Sequence, residues 1–178
     1  MLQAGDSALS MVRFYANDDL AAVAAIYAHH VRHGTASFEE TPPTEAEMAR
    51  RLALMADDGM PVLVEADENG QIRGYAYAGF YNRRSAYRFT VENSIYVDAR
   101  YQRQGVGRAL LAELILQCQK AGYRQMMAVI GDGGNAASIG LHQALGFEHL
   151  GVAKQIGFKF DRWLDVTYMQ RDLGVRLD

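Results

Sequence analysis

Seven consecutive residues, Gln102-Arg103-Gln104-Gly105-Val106-Gly107-Arg108, have the types and spacing to hold a phosphate group. The β-branched run Ser94-Ile95-Tyr96-Val97 precedes them and an amphipathic stretch over 108–121 follows. The segment therefore reads strand, glycine-bearing turn, helix. The first N–H groups of a helix have no partner within it, and the helix dipole favours an anion there. Gly105 and Gly107 lack Cβ atoms, so a ligand can approach the main chain closely. Arg103 and Arg108 bring positive charge to the same place. The Gly-Lys-Ser/Thr ending of a nucleoside-triphosphate loop is absent, and two glycines do not make the three-glycine dinucleotide fingerprint.

The chain that carries this turn has 178 residues, enough for one domain with a full core. Its net charge of −3 argues against nucleic acid or a membrane surface as partner. Cys118 is the single cysteine, which excludes an internal disulfide. No apolar run reaches the ~20 residues of a membrane span, and the N-terminus shows no charged-then-apolar signal pattern. These features predict a cytoplasmic protein with a flexible leader over 1–10 and a single domain over 11–178.

Periodicity and turn chemistry order the elements. A strand over 11–16 precedes a helix capped by Asn17 or Asp18, with Leu20, Val23, Ala24, Ile26 and Tyr27 on its apolar side. That helix carries His29, His30 and His33; His29 and His33 have i,i+4 spacing but no third ligand nearby, so no metal site is expected. After a loop over 34–40, Thr44-x-x-Glu47 is a capping box opening a helix to about 57. Strands over 60–66 and 72–81 flank an Asn69-Gly70 turn, and a long strand over 87–97 leads into the glycine loop. The helix over 108–121, a strand over 125–130, a loop over 131–134 and a helix over 135–145 follow. Strands over 147–160 and 163–173 form a closing hairpin. The order β α α β β β α β α β β predicts an α/β (α+β) fold. It is a mixed, mostly antiparallel twisted sheet of about seven strands with helices on both faces.

Gln102-x-x-Gly105-x-Gly107 after a strand resembles the acetyl-coenzyme A loop of the GCN5-related N-acetyltransferases (GNAT). Asn135-Ala136-Ala137-Ser138 followed by His142-Gln143-Ala144-Leu145-Gly146-Phe147 resembles the late Asn-x7-Tyr-x4-Gly-Phe region of that family, with His142 where a Tyr is common. This departure is similar to the phosphinothricin and methionine sulfoximine/sulfone acetyltransferase branch. The resemblance runs from about 12 to 173. It is strongest in Gly34-Thr35-Ala36-Ser37-Phe38-Glu39, in Tyr87-Arg88-Phe89-Thr90-Val91-Glu92-Asn93-Ser94-Ile95-Tyr96-Val97 and in the stretch from Gly157 to Asp165.

The resemblance implies acetyl transfer from acetyl-CoA to the α-amine of a small amino acid such as phosphinothricin, methionine sulfoximine or methionine sulfone. Gln102, Arg103, Gln104, Gly105, Val106, Gly107 and Arg108 would hold the cofactor, with Asn135 and Ser138 along its arm. Val97 would offer a main-chain N–H to the thioester oxygen. Glu92 would take the amine's proton; the alternative is a cross-strand pair with an Arg such as Arg88. His142 would protonate the departing thiolate, or simply pack under Phe147. Asn135 can cap its helix while it meets the ligand. Phe38 and Glu39 would lie over the acceptor, with Glu92 and Tyr75 beside it and Arg73, Arg83 or Arg84 reading an oxyanion. No metal is implied, and a homodimer using the segment around Trp163 is. The rival readings are a GNAT enzyme for another amine, such as a protein N-terminus or a polyamine, and a non-catalytic coenzyme A sensor. One difficulty is visible already: on a straight strand Glu92 lies roughly 17 Å from Val97, so a bulge, a splay or a water must shorten the path.

Overall fold

The structure, a computed structural model, describes residues 11–132 and 135–174. The expected leader over 1–10, and Gly133 and Gly134 of the expected loop, lie outside the described residues. Its elements in chain order are β1 (Met11–Phe14), α1 (Leu20–His33), α2 (Glu45–Asp57), β2 (Val62–Ala66), β3 (Ile72–Phe80) and β4 (Thr90–Val97). α3 (Val106–Lys120), β5 (Gln125–Gly131), α4 (Ala136–Ala144), β6 (Glu148–Lys159) and β7 (Arg162–Asp172) complete the chain. The strands form one seven-stranded sheet in the order β1-β2-β3-β4-β5-β7-β6. Every neighbouring pair is antiparallel except β4 and β5, which are joined by the α3 crossover and run parallel.

Alternation along β3 divides the core between the two faces. Tyr75 and Tyr77 point to the α1/α2 side, where Val23, Ile26, Tyr27, Met48 and Leu52 close over them. Ala76, Ala78 and Phe80 point to the other side and meet α3. α3 buries Val106, Leu110, Leu111, Leu114, Ile115 and Cys118, the stripe that helical periodicity requires. Ile139 and Leu141 of α4 and the following Leu145 and Phe147 pack on the same cluster, which places α4 beside α3. Among the described residues no helix is long and apolar enough to cross a membrane.

Two boundaries and one capping box depart from the sequence reading. β1 stops at Phe14 because the Asp19 carboxylate takes the Ala16 N–H and a paired grip from Arg13, which turns the chain into the short 3-10 turn Asn17–Asp19. The long strand expected from 87 begins only at Thr90, after a second 3-10 turn at Ser85–Tyr87. Thr44 caps α2 by accepting the Glu47 N–H at 3.2 Å, but the Glu47 carboxylate grips Arg50 and Arg51 instead of reaching back. The Asn69-Gly70 turn is present: Gly70 has φ +81, and Asp67 Oδ1 accepts from Asn69 and Gln71 at 2.9 Å each.

The feature that positions the site is a gap in the sheet. The parallel ladder runs from Thr90 opposite Gln125 to Asn93 opposite Ala128 and stops there. Beyond that point β4 continues to Val97 paired only with β3, and β5 continues to Gly131 paired only with β7.

Candidate active site

Hydrogen bonding along β4 shows which main-chain groups face the gap. Asp98 N donates to Arg73 O at 2.9 Å, and Tyr81 N donates to Thr90 O at 3.3 Å. In an antiparallel ladder the bonded residues alternate, so 90, 92, 94, 96 and 98 turn their N–H and C=O toward β3. Ile95 and Val97 therefore aim theirs into the gap. The cleft there has a volume of about 60 Å³ and is lined by Ser94, Tyr96, Val129, Asn135, Ser138 and His142, among others.

The glycine loop closes the Val97 end of this gap. Asp98 Oδ1 accepts from Arg100 N at 2.9 Å and opens the 3-10 turn Ala99–Tyr101. Arg103 has φ 59, and Gly105, the N-cap of α3, has φ +88. A Cβ built on Gly105 meets nothing within 4 Å, so its outer side is open. One on Gly107 would touch Leu141 at 3.4 Å and Val97 at 3.5 Å, so the loop and the end of β4 lie side by side. The Val106 side chain is buried in the core and offers only its backbone to a ligand. Gln102, Gln104, Arg103 and Arg108 are exposed at the helix start; Gln104 Nε2 donates to Arg100 O, and neither Arg forms an ion pair among the described residues. This is a concave set of amides with positive charge beside it, which suits a pyrophosphate.

Glu92 and His142 flank the gap from opposite faces of the sheet. Glu92 shares its face with Tyr96 and lies beside Tyr77, on the α1/α2 side. Burial raises its carboxyl pKa. It is opposite Met127, one residue before the ladder ends, so it stands at the closed corner of the gap. β4 keeps unbroken register with β3 from Val91 to Val97, so no bulge brings Glu92 nearer to Val97; a water in the opened gap must carry the proton. His142 is on the α4 side and buried. Its Nε2 meets Asn93 Oδ1 at 3.0 Å and its Nδ1 meets Ser138 O at 2.8 Å. Asn93 Nδ2 donates to Met127 O at 2.9 Å, which fixes the amide with its oxygen toward His142. Both partners are acceptors, so a neutral ring can donate to only one of them; burial lowers the His142 pKa and the Ser138 contact opposes that shift. Phe147 packs edge-on to the ring at 4.9 Å. Asn135 caps α4 through Ser138 N at 3.1 Å and lines the gap as well.

The loop over 34–40 lies across the open end. Lys159 Nζ donates to the carbonyls of Gly34 and Ser37 at 2.9 and 2.7 Å, and Thr35 Oγ1 donates to Asp132 at 3.2 Å. Phe38 rests on Gly131 and Gly157, where any Cβ would collide with its ring. Glu39 Oε1 accepts from Tyr27 OH at 3.1 Å and from Arg51 Nη1 at 2.7 Å.

Four residues expected to contact the acceptor have other surroundings. The register shift at Glu65/Ala66 leaves Arg73 on the α3 side of the sheet, paired with the buried Glu65 and lying over Tyr101, away from Tyr77. Tyr75 is fully buried between Tyr77 and Tyr96, so it belongs to the core; its hydroxyl has no partner among the described residues. Arg83 is exposed and held by Asp58 at 2.9 Å. Arg84 is exposed at the start of the Ser85–Tyr87 turn. Asn93, His30 and Arg51 are near the gap and were not singled out by sequence. Asn93 adjoins Glu92 and His30 sits among three histidines, but neither spacing alone reveals its partner. The His29 and His33 rings lie 4.9 Å apart and tilted by 46°, and no cluster of three metal-binding side chains occurs among the described residues.

Comparison with known proteins agrees with this geometry. The family model described as Acetyltransferase (GNAT) domain matches residues 12–168. A phosphinothricin N-acetyltransferase of Alcaligenes faecalis is 55% identical over 163 residues, covering 92% of this chain and 82% of the relative. An L-methionine sulfoximine/L-methionine sulfone acetyltransferase of Pseudomonas paraeruginosa is 43% identical over 155 residues, covering 87% of this chain and 90% of the relative. A crystal structure of a phosphinothricin acetyltransferase from Sinorhizobium meliloti in complex with AcCoA superposes with a TM-score of 0.90 at 48% identity, covering 93% of this chain and 89% of that one. The glycine loop, the opened sheet and these matches lead to one family: the chain belongs to the GNAT acetyltransferases.

Proposed function

We propose that this protein transfers an acetyl group from acetyl-CoA to the α-amine of a small amino acid with an oxidised sulfur or phosphorus side chain. The observation that carries the reading is the gap itself, with main-chain amides of Ile95 and Val97 aimed into it and Glu92 and His142 on its two faces. The residues fit acetyl-CoA: the Gly105 cradle suits its pyrophosphate and the gap suits its narrow arm. Acetyl-CoA supplies a thioester. Val97 N–H donates toward the charge that develops on the thioester oxygen. Glu92 receives the proton that the attacking amine sheds. Asn135 and Ser138 border the path of the departing thiolate. His142, whose ring nitrogens meet the oxygens of Asn93 and Ser138, anchors α4 to the corner of the gap. An acetyl-CoA-dependent reaction on free amino acids belongs in the cytoplasm.

A thiol-release screen with acetyl-CoA against amino acids, polyamines and peptides tests the acceptor. Methionine sulfone, methionine sulfoximine or phosphinothricin should lead, and their decarboxylated analogues should react far less well. Preference for a polyamine or a peptide N-terminus would overturn the acceptor assignment.

The same reading includes a homodimer. Leu150, Ile156, Phe158, Phe160 and Trp163 are each at least half exposed on or between β6 and β7, at the β6 edge of the sheet. A patch of this kind on one hairpin is an association surface, and a second copy of the chain is its occupant here. Sedimentation at micromolar concentration should show twice the 19.8 kDa chain mass. Trp163→Glu should shift the species toward the monomer, and a parent that sediments only as a monomer would contradict the assignment.

A further inference from the structure

We infer that His30 is a positioning residue for acetyl transfer: it takes the place of the missing sheet partner of Val97 and so holds the amide that faces the thioester. This rests on the reading of Val97 as the oxyanion donor. Past the Asn93–Ala128 pair, β5 no longer bonds to β4, and the Val97 carbonyl has no strand partner. His30 Nε2, from the last turns of α1, meets that carbonyl at 2.8 Å. A carbonyl only accepts, so Nε2 carries the proton in the neutral ring and in the cation alike.

The ring is fixed on several sides. It packs on Tyr96 with centroids 5.4 Å apart and against His29 at 5.9 Å. Gly34 N donates to His30 O at 3.0 Å, and a Cβ on Gly34 would come within 3.8 Å of Nδ1. Asp98 N, donating to Arg73 O, holds one side of the peptide after Val97 and His30 holds the other, so without the His30 donor the half-buried carbonyl is left to water or another partner. A peptide tethered on one side only loosens the dihedrals of Val97 and the amide before it. An oxyanion donor works only where it is preorganised, and displacement of about 1 Å costs on the order of 10²-fold.

The test compares His30→Phe with His30→Gln, alongside thermal unfolding and coenzyme A calorimetry. Phe keeps the packing on Tyr96 and removes the donor; Gln restores an N–H. His30→Phe should lose about 10–100-fold in kcat, with acceptor KM within a few-fold and coenzyme A still bound. His30→Gln should recover most of the loss. A folded Phe variant with parental kcat, or a folded Gln variant as slow as Phe, would overturn the inference. If His30→Phe does not fold, ring 15N shifts of the parent decide: a neutral ring protonated at Nε2 supports it, and one protonated at Nδ1 overturns it. Failure of the parent itself to acetylate any amine would instead remove the underlying reading.

Discussion

Glu92→Gln lowers kcat by about 10²–10⁴-fold at pH 7, while coenzyme A binds as tightly as in the parent. The acceptor α-ammonium has a pKa of about 8, so near neutrality most of it is protonated and cannot attack. Glu92 stands at the closed corner of the gap beside Tyr77, on the α1/α2 face from which the proposed acceptor would approach. Gln keeps the shape and cannot take the proton. Burial raises the Glu92 pKa above 4.5, and only the ionised form is a base. The parent's kcat/KM should therefore rise with pH through a limb displaced upward from the ordinary carboxylate range. The variant should lack that limb and recover part of its rate at high pH, where the amine is already free. The stability effect has the opposite sign. A carboxyl whose folded pKa is raised disfavours the fold once it ionises, so Glu92→Gln should unfold no earlier than the parent at pH 7. A variant within a few-fold of the parent's turnover would move the base elsewhere.

Gly105→Val weakens coenzyme A binding by about 10–100-fold, which corresponds to ~1.4–2.8 kcal/mol. Its cause is conformational. Gly105 sits at φ +88, and a β-branched residue is strained there. A Cβ would meet no atom of the protein, so no clash in the core follows and the domain should still fold. The loop would relax to a negative φ and turn the amides at the start of α3 away from a common point. Calorimetry with coenzyme A measures the loss, and unchanged affinity would remove the loop from the cofactor site.

Much of this arrangement was legible in sequence because it is encoded locally. Asn69-Gly70, Gly105 at the start of α3 and the alternation of Tyr75 and Tyr77 with small residues depend on a few neighbours. The acceptor side was not legible because it depends on register. Simple alternation would put Arg73 and Tyr77 on one face, yet the register shift opposite Glu65 carries Arg73 to the other, where Glu65 holds it. Arg83 is claimed by Asp58, 25 residues earlier. Asn93 lies within the segment that pointed to the family, but its need to bridge Met127 and His142 appears only where β4 and β5 part. The difficulty over Glu92 stays: β4 runs without a bulge from Glu92 to Val97, so the parting of β4 and β5 makes room for a water relay and does not shorten the path.

The central claim is that the opened sheet joins a thioester to an amino-acid amine. It is tested most directly by incubating the protein with acetyl-CoA and methionine sulfone, then measuring free thiol and N-acetylated product in the same sample. The account predicts equal amounts of both, with neither formed by Glu92→Gln beyond a small residue at pH 7. Thiol released without N-acetylated product, or coenzyme A bound with no release under any acceptor, would contradict it.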